Sequence, residues 1–151
     1  MHRMEPYLSA SQVCAAAHCP ASTLRAWRNR NGLFSERHSI GDGWTQFDFA
    51  EAIGVRLVVL LTQRGFAAQP AINLVNSMRK ELERAAKGYA PWVGVAFKEG
   101  EEILEFRELN MNGTVLDQLG WFTDSIVTAI NLRHVSNEIF WLIRLDKSEK
   151  A

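Results

Sequence analysis

Apolar positions recur with a helical period through most of the first half of the chain, then give way to short strand-like runs. Ser9-Ala-Ser-Gln12 fits a capping box, and Val13 to Ala17 continue a small-residue helix that breaks at His18-Cys19-Pro20. Ser22 to Phe34 predict a second short helix, closed by an Asn31-Gly32 stop. Gly41-Asp42-Gly43 suits a hairpin tip between Arg37-His38-Ser39 and Trp44-Thr45-Gln46-Phe47. Asp48-Phe-Ala-Glu51 repeats the capping pattern, and Phe49, Ile53, Leu57, Leu60 and Leu61 keep helical spacing up to Gly65. Pro70 is tolerated in the first turn of the next helix, whose stripe of Ile72, Val75, Met78 and Leu82 fades near Ala85-Ala86-Lys87-Gly88.

The second half predicts a small α/β unit. Pro91 to Phe97 and Ile103 to Leu109 are two strand-like runs around a hairpin turn at Lys98-Glu-Gly-Glu-Glu102. After Asn110-Met-Asn-Gly113, the β-branched run Ser125 to Leu132 predicts a third strand, and Val135, Ile139, Leu142 and Ile143 a terminal helix. A continuous helix from Phe122 to Leu145 is the rival assignment, because short apolar runs suit either element. The fold class expected is α+β, with a helical first unit over residues 1–87 and a small α/β unit over 88–151.

Charge changes the picture once it is located. The chain is formally neutral, yet residues 1–87 hold eleven Lys/Arg against seven Asp/Glu, net +4, and residues 88–151 hold six against ten, net −4. Three arginines, Arg25, Arg28 and Arg30, crowd the short helix after Pro20, a surface suited to a polyanion. Helix, tight turn and arginine-rich helix make a helix-turn-helix plan, in which the first helix crosses the DNA backbone and the second enters the major groove. The hairpin beside it is then a wing. Candidate DNA contacts are Ser22, Thr23, Arg25, Ala26, Arg28 and Arg30 on the recognition helix, about Ser22–Arg30, and Arg37, His38 and Thr45 on the wing, about Arg37–Phe47. Helical spacing puts Leu24 toward the core, partly covered by Trp27.

Residues from about Tyr7 to Met78 resemble the winged helix-turn-helix DNA-binding domain of the MerR family of bacterial transcription regulators. The resemblance rests on Thr23-Leu24-Arg25 with Trp27, Gly32-Leu33 after the recognition helix, aromatic residues at Trp44 and Phe47, and Arg64-Gly65-Phe66 between the last two helices. It implies a sequence-specific transcription regulator that binds double-stranded DNA. The chain departs from the family twice. Thr45 and Gln46 stand where members usually carry a wing arginine, and Lys87-Gly88-Tyr89-Ala90-Pro91 cuts short the long helix through which members usually pair. An excisionase-like or architectural DNA-binding factor and a protein-interaction module are the alternative readings.

Other chemistry is sparse. Val55 to Leu61 is the most apolar run, far short of the roughly 20 residues of a membrane span. The N-terminal residues lack a signal peptide's apolar core, so a cytoplasmic, nucleoid-associated protein is expected. Cys14, His18 and Cys19 invite a metal, but no second ligand cluster accompanies them and structural thiols are expected. With no nucleophile elbow, phosphate-cradling loop or metal-ligand repeat, neither an enzyme nor a cofactor is expected. Trp92, Trp121 and Trp141 concentrate in the second half, where core packing plus self-association into a homodimer or higher homo-oligomer is preferred to a ligand pocket. Contact with another transcription or recombination protein is the further possibility there. On this reading, a chain ending near Lys87 stays folded and keeps weak, salt-sensitive DNA binding.

Overall fold

Ser9 starts the first helix as its spacing to Gln12 predicts. Its hydroxyl oxygen accepts from Gln12 N at 3.1 Å, while Gln12 Oε1 accepts from Ser9 N at 2.8 Å. The computed structural model describes residues 7–35, 46–89, 91–110 and 112–149. A two-residue strand β1 (Leu8–Ser9) leads into helix α1 (Ala10–Ala17), which ends on His18 in the left-handed region, with Cys19 N donating to Cys14 O at 3.0 Å. Helix α2 (Ala21–Asn31) ends on Gly32 at φ 72°, where a glycine avoids the steric cost of a side chain. Strand β2 (Gln46–Phe47) pairs antiparallel with β1, Leu8 opposite Phe47.

Asp48 and Glu51 form the second capping box, with both reciprocal bonds made, and open helix α3 (Phe49–Gln63). The stripe of Ile72, Val75, Met78 and Leu82 belongs to two helices rather than one: α4 (Ala68–Ser77) and α5 (Arg79–Ala86), separated at Met78. All four side chains are fully buried, so the apolar face continues across the break.

Strands β3 (Trp92–Phe97) and β4 (Leu104–Leu109) form the expected hairpin, turning at Gly100 with φ 76°. A short helix α6 (Val115–Leu119) follows, then strand β5 (Thr128–Asn131) and helix α7 (Leu132–Glu149). The sheet runs β4-β3-β5, with both pairings antiparallel. Strand-then-helix is therefore the outcome at 125–145, and the continuous helix is not formed. Pairing of Thr128 and Ile130 with Val95 and Val93 outweighs local helical spacing, and Asn131 Oδ1, accepting from His134 N at 3.1 Å, starts α7.

Helix α3 is covered on two sides, which explains why Val55, Val58 and Val59 make it apolar beyond one stripe. One side faces α4 and α5: a Cβ on Gly54 would stand 3.0 Å from Phe34 Cζ and 3.0 Å from Val75 Cγ1. Gly54→Val should therefore overpack this contact and lower stability by about 1–3 kcal/mol, measured by urea denaturation, with an unchanged midpoint counting against it. The other side meets α7. Arg56 donates to Ala17 O at 3.2 Å and to Glu138 Oε1 at 3.0 Å, and Phe49 meets Phe140 edge-on at 6.3 Å. Ser136 Oγ donates to Ala85 O at 3.1 Å, and Leu132, Val135, Ile139 and Ile143 join the same buried cluster as the helices of the first half. Among the described residues, no helix is long and apolar enough to cross a membrane.

Candidate nucleic-acid interface

Helix α2 is amphipathic in the sense the arginine pattern requires. Leu24 and Trp27 are buried and anchor one side, while Ser22, Arg25, Asn29 and Arg30 are exposed and Thr23, Ala26 and Arg28 are half-buried. At about 100° per residue, Ser22, Arg25, Ala26 and Asn29 share the outward face, with Arg28 on one flank and Thr23 and Arg30 on the other. The structure thus brings the helix candidates onto one continuous surface. It adds Asn29, which arginine counting does not single out. Arg37, His38 and Thr45 lie outside the described residues.

Arg28 differs from Arg25 and Arg30 because it is held from below. Its guanidinium carbon lies 5.8 Å from the centre of the Phe47 ring on β2. Burial lowers its pKa, the positive charge of Arg25 adds to that, and the buried carboxylate of Glu51 works the other way. Glu51 is completely inaccessible to solvent. Its capping partner Asp48 receives Arg79 from the start of α5 at 2.5 Å, and Arg79 also reaches Glu83 at 2.8 Å. Burial opposes the charge on Arg79, but the hydrogen bond and negative charge of Asp48 outweigh it and raise its pKa. A row of charged groups, Arg28, Glu51, Asp48, Arg79 and Glu83, therefore runs from α2 through the α3 cap to α5. It fixes the corner beneath Arg28.

The far end of α2 is clamped by amides. Asn76 Oδ1 accepts from Phe34 N at 2.8 Å and Asn76 Nδ2 donates to Gly32 O at 3.0 Å. Phe34 has φ 57°, a costly conformation for a bulky residue, so one side chain on α4 holds both polar groups of a strained turn. Gln69 Nε2 donates to Asn31 O at 3.0 Å, and Asn31 Nδ2 returns a bond to Gln69 Oε1 at 2.8 Å. The signal in the sequence is three amides, Gln69, Asn73 and Asn76, on one face of an otherwise apolar helix. Asn76→Ala should cost about 1–3 kcal/mol, because the part-buried turn loses two hydrogen bonds and Gly32 C=O keeps only its bond from Ser35 N at 3.1 Å. Urea denaturation followed by tryptophan fluorescence checks this, and a parental midpoint would refute the clamp.

The thiols near the turn are protonated. Burial pushes Cys19 up to about 12, with Cys14 adding to the shift, and burial also raises Cys14. Thiols held in that form are poor metal ligands and poor nucleophiles. No group of three or more His, Cys, Asp or Glu side chains suited to a metal ion occurs among the described residues. What the geometry offers is a cationic helix face, braced at both ends, beside a short two-stranded ribbon.

No curated protein matches the chain. Residues 8–77 match the model of the family described as MerR HTH family regulatory protein, so this stretch is similar to the helix-turn-helix domain carried by DNA-binding transcription regulators.

Proposed function

We propose that the protein is a sequence-specific regulator of transcription that places α2 in the major groove of double-stranded DNA, with α1 crossing the backbone. The observation that carries this reading is the exposed face of Ser22, Arg25 and Asn29, backed by buried Leu24 and Trp27. In this reading Thr23, Ala26, Arg28 and Arg30 flank the base-reading positions, and Arg37, His38 and Thr45 of the wing grip phosphate. Selection of bound sequences from a random DNA pool tests it. A shared motif supports sequence-specific reading, whereas no enrichment over background overturns it. Arg37→Ala should weaken binding to all sequences alike and flatten its salt dependence by up to about one unit of slope. A changed base preference with an untouched slope would contradict the phosphate role.

Roles divide near residue 87. The first part reads DNA, and residues 88–151 assemble copies or meet another transcription or recombination protein. Support comes from the large apolar side chains that this half leaves exposed, including Trp92, Trp121 and Trp141 at 37, 48 and 60 % of full accessibility. A single recognition helix reads only a few base pairs, and a homodimer doubles the contact. Sedimentation checks the assembly: a strict monomer at micromolar concentration, on DNA as well as off it, rules out the dimer. Such a reader acts at the nucleoid in the cytoplasm and performs no catalytic step. The alternative of an excisionase-like or architectural factor predicts binding clustered at one locus in a genome-wide profile, where a regulator predicts scattered promoters.

A further inference from the structure

Between the C-terminal half of α3 and the edge of the small sheet lies a hollow of about 260 Å³. Its walls are Leu57, Leu60, Ile130 and Val135, and its rim carries Arg64 and His134. All four residues of β5 line it, which means that the strand's outer edge faces the hollow, and that edge pairs with no strand among the described residues. No acidic residue lines it, and no carboxylate pairs with Arg64 among the described residues. Arg64 spends one N–H on Leu60 O at 3.3 Å and keeps the others for a ligand.

We propose that this hollow binds a small apolar carboxylate, with its hydrocarbon body against the leucine and valine methyls and its acid group at Arg64. Size sets the upper limit. The volume falls just below the roughly 300 Å³ at which drug-sized sites begin, so the occupant is an acid of about ten heavy atoms rather than a folded partner or a large drug. Charge sets the head group. Arginine is a permanent cation whose planar donors match a carboxylate, and a donor on the His134 ring and the free backbone edge of β5 complete a polar rim around an apolar floor. Because α3 belongs to the helix-turn-helix half and β5 and α7 to the other, the bound acid touches both. The site itself does not depend on the DNA reading, since occupancy is measured on the free protein.

The test is a titration of the full-length chain with octanoate, 1-naphthoate and octan-1-ol, followed by amide chemical shifts. At least one acid should saturate below about 1 mM, with shifts confined to residues near 57–64 and 128–135, and octan-1-ol should bind about tenfold more weakly than octanoate. Arg64→Gln sits on an exposed helix end, so it should leave folding intact while lowering octanoate affinity about tenfold toward that of the alcohol. Leu60→Trp should fill the hollow and abolish binding of all three. Failure of both acids to saturate at several millimolar overturns the site. So does equal affinity for acid and alcohol, or shifts centred on Trp92 and Trp121 instead.

Discussion

An Arg25→Ala variant unfolds at the parent's temperature and loses about 1–3 kcal/mol of affinity for its selected DNA site, most of it by ceasing to discriminate one base pair. The two halves of this result have separate causes. Arg25 is exposed on α2 and, among the described residues, no hydrogen bond or ion pair passes through it, so its removal leaves Leu24 and Trp27 packed. The affinity loss follows because a guanidinium on the outward face of a recognition helix reads guanine by two parallel hydrogen bonds, which no water-filled gap replaces. Arg28→Ala should behave differently, weakening binding while also loosening the corner where its guanidinium lies over Phe47. Competition titrations against the selected site and single-base variants, run with thermal melts, distinguish the two. An Arg25→Ala protein with parental affinity and preference would remove α2 from the role of reader.

Local chemistry was legible wherever it acts over a few residues. Both capping boxes, Ser9 with Gln12 and Asp48 with Glu51, are reciprocal bonds between positions three apart, and the spacing alone announces them. The burial of Leu24 and Trp27 follows in the same way from helical period. Long-range pairings were not legible. Glu51 reads as an ordinary capping acid, and only the fold shows it fully buried and near enough to Arg28 to act on its charge. Asn76 carries no mark that it will meet Gly32 and Phe34 across more than forty positions of chain, and the contact matters because the backbone of Phe34 is strained. The third strand was open to a helical assignment because Ser125 to Leu132 has the composition of either element. The partner strand β3 decided it.

Removing everything after Lys87 should abolish cooperative unfolding, the opposite of what the separation of the two halves by composition and charge suggests. In the proposed reading the division near residue 87 is one of roles, while the buried core is shared. Leu132, Val135, Ile139 and Ile143 of α7 are at most 4 % exposed and belong to one cluster with α1, α3 and α5. Burying each such side chain is worth about 1.5–3 kcal/mol, so the four together rival the roughly 5–15 kcal/mol that holds a domain folded. The truncated chain also loses Glu138, which pairs with half-buried Arg56, and leaves Phe49 without Phe140. Arg56 would keep only its bond to Ala17 O. A milder variant separates loss of the core from gross misfolding: Ile139→Ala should lower stability by about 2–5 kcal/mol, and Trp27 and Trp121, one in each half, should still report a single transition. Urea denaturation of the 1–87 fragment, the full chain and this variant decides the point. A fragment that unfolds cooperatively at the parent's midpoint, or an Ile139→Ala protein whose two halves melt separately, would show that the halves fold independently.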